Sequence, residues 1–544
     1  MKKARCPNAQ VSANPVKQGF SMKAIPANLD VIIIGSGMGG LTTAALLAKE
    51  GKKVLVLEQH DVAGGNTHTF VDQGYEFDTG LHYVGGKIGD KNSSLRRQLD
   101  YVTDGQVEWE QMDDAYDVAM IESDKERFNF YSSWTKLKQH LKEKFPDDGV
   151  AIDDYFALVK RTTNLFPVLV VLKFLPESVF RFSMWLFGAK MFNKTTNQVL
   201  EKLTKNRKLM GVLSYMYGDY GEVPSRGAFT VHALIASHYR GGAYYPVGGP
   251  LEIAISAAKV IERWGGKVLV RAPVSSVLID DNNQAYGVVV KGNKILAKTI
   301  VSSVGAPKTF TTFVPESHRH LVSKQIDIMR DPKIASNVSL MTMFVGINDP
   351  DSSLKLPKCN YWIHRSWDLD SNMDEFRKDH TKIPAFFISF SSAKDPTYAT
   401  RNPGKQVALV IAPSDFAHVE EFQHDRVKRR SKKYIEMKKE WEKKFVEVLL
   451  DQFPELHGKI DYVDFGSAVT NDYYLGTHRG AVYGLAHTPE RLMQHWLRPQ
   501  TPIKNLFLNG QDVCTCGITG ALIGGFFAAY AISPKCLLRT VSMF

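Results

Sequence analysis

The sequence predicts an α/β fold: a Rossmann-type nucleotide-binding domain split in sequence, joined to a mixed α+β domain. Three observations predict it. The stretch Asp30 to Gly40 reads as a strand, a tight glycine turn and the start of a helix. A second strand-like run, Lys53 to Leu57, ends on an acid, Glu58. Further pieces of α/β pattern begin near Gly241 and near residue 495, separated by aromatic-rich segments without a nucleotide signature.

Each element has a local reason. Val31, Ile32, Ile33 and Ile34 are uninterrupted β-branched residues, as in a strand buried on both faces. Gly35 permits the sharp turn, and Gly37 lets the backbone approach a pyrophosphate. Gly39 continues the turn, and Gly40 lets the helix pack closely on the strand. The helix N-terminus offers its free N–H groups to phosphate. Leu41 to Ala48 forms a good helix, with Gly51 placed as its C′ residue. Glu58, 18 residues past Gly40, can accept hydrogen bonds from a ribose 2′-OH and would repel a 2′-phosphate, which suits FAD or NAD.

After Gly64 and Gly65 a β-like run reaches Asp78-Thr79-Gly80, and residues 96–240 then read as mainly helical. The second nucleotide piece carries Tyr245-Pro-Val-Gly248-Gly249, a helix to Arg263, and strands over Lys267 to Ile279 and Lys298 to Ala306. The last piece is a strand at Asn505 to Asn509, the turn Gly510-Gln511-Asp512, and an apolar helix from Ile518 to Ile532. The expected division is a polar, poorly ordered tail over 1–27, a nucleotide domain from 28–95, 241–310 and 495–535, and a substrate and membrane-associating domain from 96–240 and 311–494.

A hydrophobic share of 44% with 11% aromatics excludes a disordered chain. The net charge of +11 is concentrated in the tail (Lys2, Lys3, Arg5, Lys17, Lys23) and in the run Asp425 to Lys433, without the basic–aromatic interleaving of a nucleic-acid binder. Arg426 to Asp451 reads as an amphipathic helix whose basic side is either a solvated face or a site for anionic lipid head groups. Five cysteines in no paired spacing indicate a reducing compartment, and no metal site is expected. No signal peptide and no spanning helix are legible. Leu165 to Leu175 and Val179 to Phe187 come nearest, as buried core helices or as a monotopic segment dipping into one leaflet.

Glu58-Gln-His-x3-Gly64-Gly65, Phe77-Asp-Thr-Gly-Leu-His-Tyr-Val84, Ser391-Ser-Ala-Lys-Asp-Pro-Thr397 and Gly510-Gln-Asp-Val-Cys-Thr-Cys-Gly517 resemble the retinol saturase family. That family stands with the prolycopene isomerases in the phytoene desaturase and flavin amine oxidase superfamily. The resemblance runs from about Asp30 to Ile532 and departs at the N-terminus, where animal retinol saturases carry a hydrophobic leader. It implies a glutathione-reductase-like FAD domain. Gly35, Gly37, Gly39 and Gly40 would face the pyrophosphate, Glu58 the adenosine ribose, Gly64 and Gly65 the flavin side, and Val274 the adenine edge. Gly510 and Asp512 would meet the pyrophosphate or ribityl chain, although Asp512 also reads as a simple N-cap. N–H groups near Ile518 and Thr519 would stabilise a reduced anionic flavin.

The activity implied is saturation of one C=C bond of a conjugated polyene alcohol, all-trans-retinol or a related isoprenoid, within an apolar slot. NADPH or NADH stands as the electron donor, although no second complete G-x-G-x-x-G is present. His82 and Tyr83 after the Asp-Thr-Gly turn are candidate catalytic residues, as is His478, beside Tyr474 and Arg479. Asp395 before Pro396 reads as a turn residue. A carotenoid cis/trans isomerase, a desaturase, and a non-catalytic prenyl-binding escort protein of the same fold remain alternatives. The resemblance implies a peripheral or monotopic protein of the endoplasmic reticulum membrane, with a cytoplasmic-face or soluble protein left open. Oligomeric state is not legible.

Overall fold

The computed structural model describes residues 11–188, 192–335, 338–425 and 429–544. Lys2, Lys3, Arg5, Cys6 and Arg426 lie outside the described residues.

Val31–Ile34 is buried at every position and pairs in parallel with both Val54–Leu57 and Thr299–Ser302. The full sheet has the order Leu506–Leu508, Thr299–Ser302, Val31–Ile34, Val54–Leu57, Lys267–Leu269. Its strands thus come from three separated stretches of chain. Alternation places Val31 and Ile33 in one core layer with Leu41, Ala257 and Phe526, and Ile32 and Ile34 in the other with Val277, Val288 and Phe310. Both faces are covered, which is why the strand reads as a continuous apolar run.

Helix Met38–Lys49 packs against the C-terminal helix Gly517–Ile532 through glycines. A Cβ on Gly39 would meet Gly510 Cα at 2.8 Å, one on Gly525 would meet the Gly39 carbonyl oxygen at 2.7 Å, and one on Gly524 would strike the Gly510 carbonyl oxygen. This crossing seats the first turn of Met38–Lys49 against Ala521 and Gly525 of the C-terminal helix.

The second domain is built on a seven-stranded sheet in the order Ile460–Gly466, Ser339–Asn348, Lys405–Ser414, Ala385–Ser389, Asn360–His364, Ala115–Ile121, Phe128–Tyr131. Two of these strands lie in the stretch expected to be mainly helical. Ala115–Ile121 escapes the alternating pattern because it is buried on both faces and carries Asp117, itself fully buried, in its middle. The run Lys267 to Ile279 divides at Arg271, whose φ is 53°, into the strands Lys267–Leu269 and Val274–Ile279.

Residues 11–27 are not a loose tail. Val16 is buried, Val270 N–H donates to the Gln18 carbonyl, Phe20 N–H donates to the Val270 carbonyl, and Gln18 Nε2 donates to Glu262 Oε1 at 2.6 Å. The basic amphipathic helix runs over Lys432–Gln452 with Ser431 as its N-cap, and the Arg426 end of the expected helix lies outside the described residues. Its Tyr434, Trp441, Phe445 and Val448 are buried as one stripe.

Among the described residues, one helical stretch, Pro146–Phe174, is long and apolar enough to cross a membrane by length and composition, although it contains Pro167. It, Glu177–Ser183 and the following turn Met184–Gly188 leave a run of apolar side chains in the open: Val171 is 61% exposed, Phe182 60% and Trp185 74%. The segment is therefore not the pair of buried core helices that was one of its two expected forms.

Candidate active site

A cavity of about 900 Å³ lies between the two sheets and is lined from both domains. One end is the glycine turn. Gly37 has open space where a Cβ would stand, and Gly65, at φ +56°, packs so closely that its Cβ would meet Gly37 Cα at 2.9 Å. Glu58 closes this end. Its Oε2 accepts from Ser36 N–H (2.9 Å) and Ser36 Oγ (2.6 Å), and its Oε1 accepts from His60 N–H (2.9 Å). A carboxylate has about four acceptor positions, so one remains for a ligand hydroxyl. Val274 and Gly64 line the same cavity.

Two helix N-termini face it. Met38–Lys49 begins after Gly37, and Gly517–Ile532 begins after Cys516; neither has a side-chain cap. Each therefore offers first-turn N–H groups to whatever fills the space. Thr519 Oγ1, buried at the second helix, has no protein partner and lines the cavity. Two uncapped helix ends, a glycine cradle and an orphaned hydroxyl fit an extended, phosphate-bearing dinucleotide.

Asp512 is no N-cap, since Cys516 holds that position. Its Oδ2 accepts from Ala306 N–H (2.8 Å) and its Oδ1 from Leu485 N–H (2.9 Å), so one buried carboxylate ties three loops together. Gly510, at φ +84°, turns the chain beside it. Asp395 does sit in a turn, accepting from Thr397 N–H at 2.9 Å, but it also binds Gly248 N–H and Arg401.

The far end of the cavity is aromatic and apolar, with Leu234, Ile235, Tyr239, Trp362, Phe387 and Tyr483 in its wall. His82 and Tyr83 both line it. His82 Nδ1 has no protein partner, and burial, with Lys394 nearby, pushes the ring down to about 3, so it is neutral at ordinary pH. Tyr83 stacks on Tyr239 with ring centroids 4.5 Å apart. His478 stands elsewhere in the lining. It follows helix Ala468–Leu475, whose Tyr474 packs on His60 beside Glu58, while Arg479 turns away to Glu420.

Sequence reasoning missed a buried polar network behind Tyr83. The Tyr83 hydroxyl lies 3.2 Å from both Asp117 Oδ2 and Asp219 Oδ2. Asp117 also accepts from Tyr215 Oη (2.9 Å) and Asn360 Nδ2 (3.0 Å). Burial raises Asp117 to about 6 and Asp219 well above the carboxylate range, the latter also through the charge of Asp117. Lys394 is fully buried. Its ammonium donates to Asn360 Oδ1, Ser389 Oγ (2.7 Å) and the His82 carbonyl (3.0 Å), and burial lowers it to about 8. Asp78, bound by Tyr245 Oη at 2.7 Å, is raised by burial to about 7. The signals in the sequence are a lone acid, Asp117, inside an apolar strand, and Asp78 and Lys394 within two of the motifs that carry the family resemblance.

Residues 33–101 match the model of the NAD(P)-binding Rossmann-like domain family. Among solved structures, putrescine oxidase matches with a TM-score of 0.60 at 15% identity, covering 93% of this chain and 99% of that one, a likeness of fold. An inactive all-trans-retinol 13,14-reductase of Danio rerio is 32% identical over 96% of this chain and 88% of its own length. The all-trans-retinol 13,14-reductase of Macaca fascicularis is 39% identical over the same shares. On that identity, carried through nearly the whole length, the chain belongs to the all-trans-retinol 13,14-reductase family.

Proposed function

We propose that this chain binds FAD in the cavity and saturates one C=C bond of a conjugated polyene alcohol, all-trans-retinol giving 13,14-dihydroretinol. The observation that carries the reading is continuity: one cavity runs from the uncapped helix ends to an aromatic arm. The first-turn N–H groups after Gly37 would hold the pyrophosphate, and the free acceptor position of Glu58 the adenosine ribose, with Val274 beside the adenine. Gly517–Ile532 would direct the positive end of its dipole at the flavin ring, through N–H groups at Ile518 and Thr519. When bound, the reduced cofactor supplies hydride. The arm's aromatic walls would exclude water and align the polyene along the ring. Roles for His82, Tyr83 and His478 belong to this reading. NADPH or NADH would reload the flavin.

The same reading places the chain on a lipid surface. The exposed Val171, Phe174, Phe182 and Trp185 form an apolar face of the kind that beds into one leaflet. Phe166, on the same helix, lines the cavity, so the face and the substrate arm share a wall. A polyene dissolved in the bilayer would enter there, consistent with peripheral attachment to the endoplasmic reticulum.

The test is anaerobic incubation of the reduced, flavin-loaded protein with all-trans-retinol, read by product mass. A gain of two hydrogens is expected. Unchanged mass with altered geometry would mean an isomerase, a lighter product a desaturase, and failure to take up FAD would leave a carrier of prenyl-like lipids.

A further inference from the structure

We propose that Asp219 is the acid that delivers the proton to the alkene carbon, with Tyr83 and Asp117 as its positioning residues. The inference rests on the reductase reading and supplies the proton source which that reading needs.

Position is the first argument. Asp219 ends the short turn Tyr215–Asp219 and lines the aromatic arm of the cavity beside Tyr83. It lies within electrostatic reach of Tyr483 and of Cys516, the residue that opens the C-terminal helix. The carboxyl therefore stands where the apolar arm meets the helix end proposed to face the flavin.

Hydrogen-bond accounting is the second. Tyr83 has one hydroxyl proton and faces two carboxyl oxygens, each at 3.2 Å. It can satisfy only one of them, so the close approach of all three oxygens requires a second proton on a carboxyl. Asp117 is built to be the anion. It is fully buried, accepts from Tyr215 and Asn360 as well, and the Asn360 amide oxygen in turn accepts from the Lys394 ammonium. Asp219 has Tyr83 and Tyr239 as its side-chain hydrogen-bond partners and sits beside that anion. The second proton belongs on Asp219. The surrounding groups agree: Tyr116, Tyr215, Tyr239 and Tyr483 are phenols raised by burial, Cys516 is a buried thiol raised to about 12, and Lys394 is turned onto the His82 carbonyl, Asn360 and Ser389. His82 is neutral, so its one ring proton is that of an imidazole N–H, a far weaker acid than a carboxyl.

The step then balances. The alkene π pair captures the Asp219 proton as the O–H bond breaks, and the other new C–H bond would form with the hydride that a bound, reduced flavin would supply. The Tyr83 hydroxyl turns its proton from Asp117 to the new Asp219 carboxylate. After product leaves, the pair regains one proton from water.

Asp219→Asn and Asp117→Asn in the flavin-loaded protein test this. At neutral pH the infrared carbonyl band of a protonated, buried carboxylic acid is expected in the wild-type-minus-D219N difference, where the Asp78 contribution cancels; its absence from that difference would overturn the assignment. D219N is expected to lose about 10²–10⁴-fold in the rate of saturation while keeping its flavin absorbance, and saturation at the wild-type rate would overturn it. The active form is protonated, so the rate is full at low pH and falls as pH rises through the Asp219 titration. Removing the Asp117 charge lets Asp219 ionise more easily, so in D117N this fall is expected at lower pH. An unmoved profile would contradict the pairing, and D117N gives that answer even if D219N does not fold. Failure of the wild type to saturate any polyene would overturn the reductase reading instead, and the infrared band would still report the proton on Asp219.

Discussion

Asp512 and Asp78 show how much rests on single buried carboxyls. Asp512→Ala leaves the N–H groups of Ala306 and Leu485 buried without acceptors. That is expected to cost roughly 2–4 kcal/mol, measured as a lower urea midpoint, together with weakened FAD uptake. An unchanged midpoint would mean that the three loops hold without it. Asp78 is held by burial at about 7, against its ordinary 3.8. Between these values the folded chain binds more protons than the unfolded chain, so this group's contribution is full below about pH 4 and is lost as pH rises through 7. Asp78→Asn is expected to flatten the decline of stability over that interval in denaturation curves taken at stepped pH. An identical slope would place the titration elsewhere.

At the scale of elements, the glycine crossing decides whether the site exists. Gly524→Val would drive a side chain into the Gly510 carbonyl and push Gly517–Ile532 off Met38–Lys49. About 1–3 kcal/mol of overpacking cost is expected, with loss of bound flavin; a variant with full FAD content would show that the crossing tolerates spreading. Much of this frame is legible in sequence because its causes are local. A β-branched run, a glycine turn and an acid at fixed spacing each act on neighbours, so Val31–Ile34, Met38–Lys49 and Glu58 can be read directly. The network behind Tyr83 is not local. Asp117, Asp219, Asn360 and Lys394 come from four places in the chain and meet only when Ala115–Ile121 pairs with Asn360–His364. The strand carrying Asp117 was itself hidden, because burial on both faces erases alternation. Residues 11–27 read as a loose tail for a related reason: a polar composition does not reveal a chain held by backbone bonds to Val270 and side-chain bonds to Glu262. The exposure of Phe182 and Trp185 was likewise invisible, since apolar composition fits a core and a leaflet equally.

The whole molecule brings these scales together: a nucleotide sheet at one end, a seven-stranded sheet at the other, one cavity between them, and an apolar face along its wall. Replacing Phe182 and Trp185 together by Glu places two charges on that face and is expected to abolish flotation with liposomes while leaving flavin content unchanged; unaltered flotation would move the lipid contact elsewhere. The central claim is that electrons held in this cavity pass to a polyene double bond. The most direct measurement mixes the reduced, flavin-loaded protein with all-trans-retinol in an anaerobic cuvette and follows both chromophores. The account predicts that oxidised-flavin absorbance returns as conjugated-polyene absorbance is lost, one flavin for each double bond saturated. Polyene absorbance that shifts while the flavin stays reduced, or flavin that never reoxidises, would contradict it.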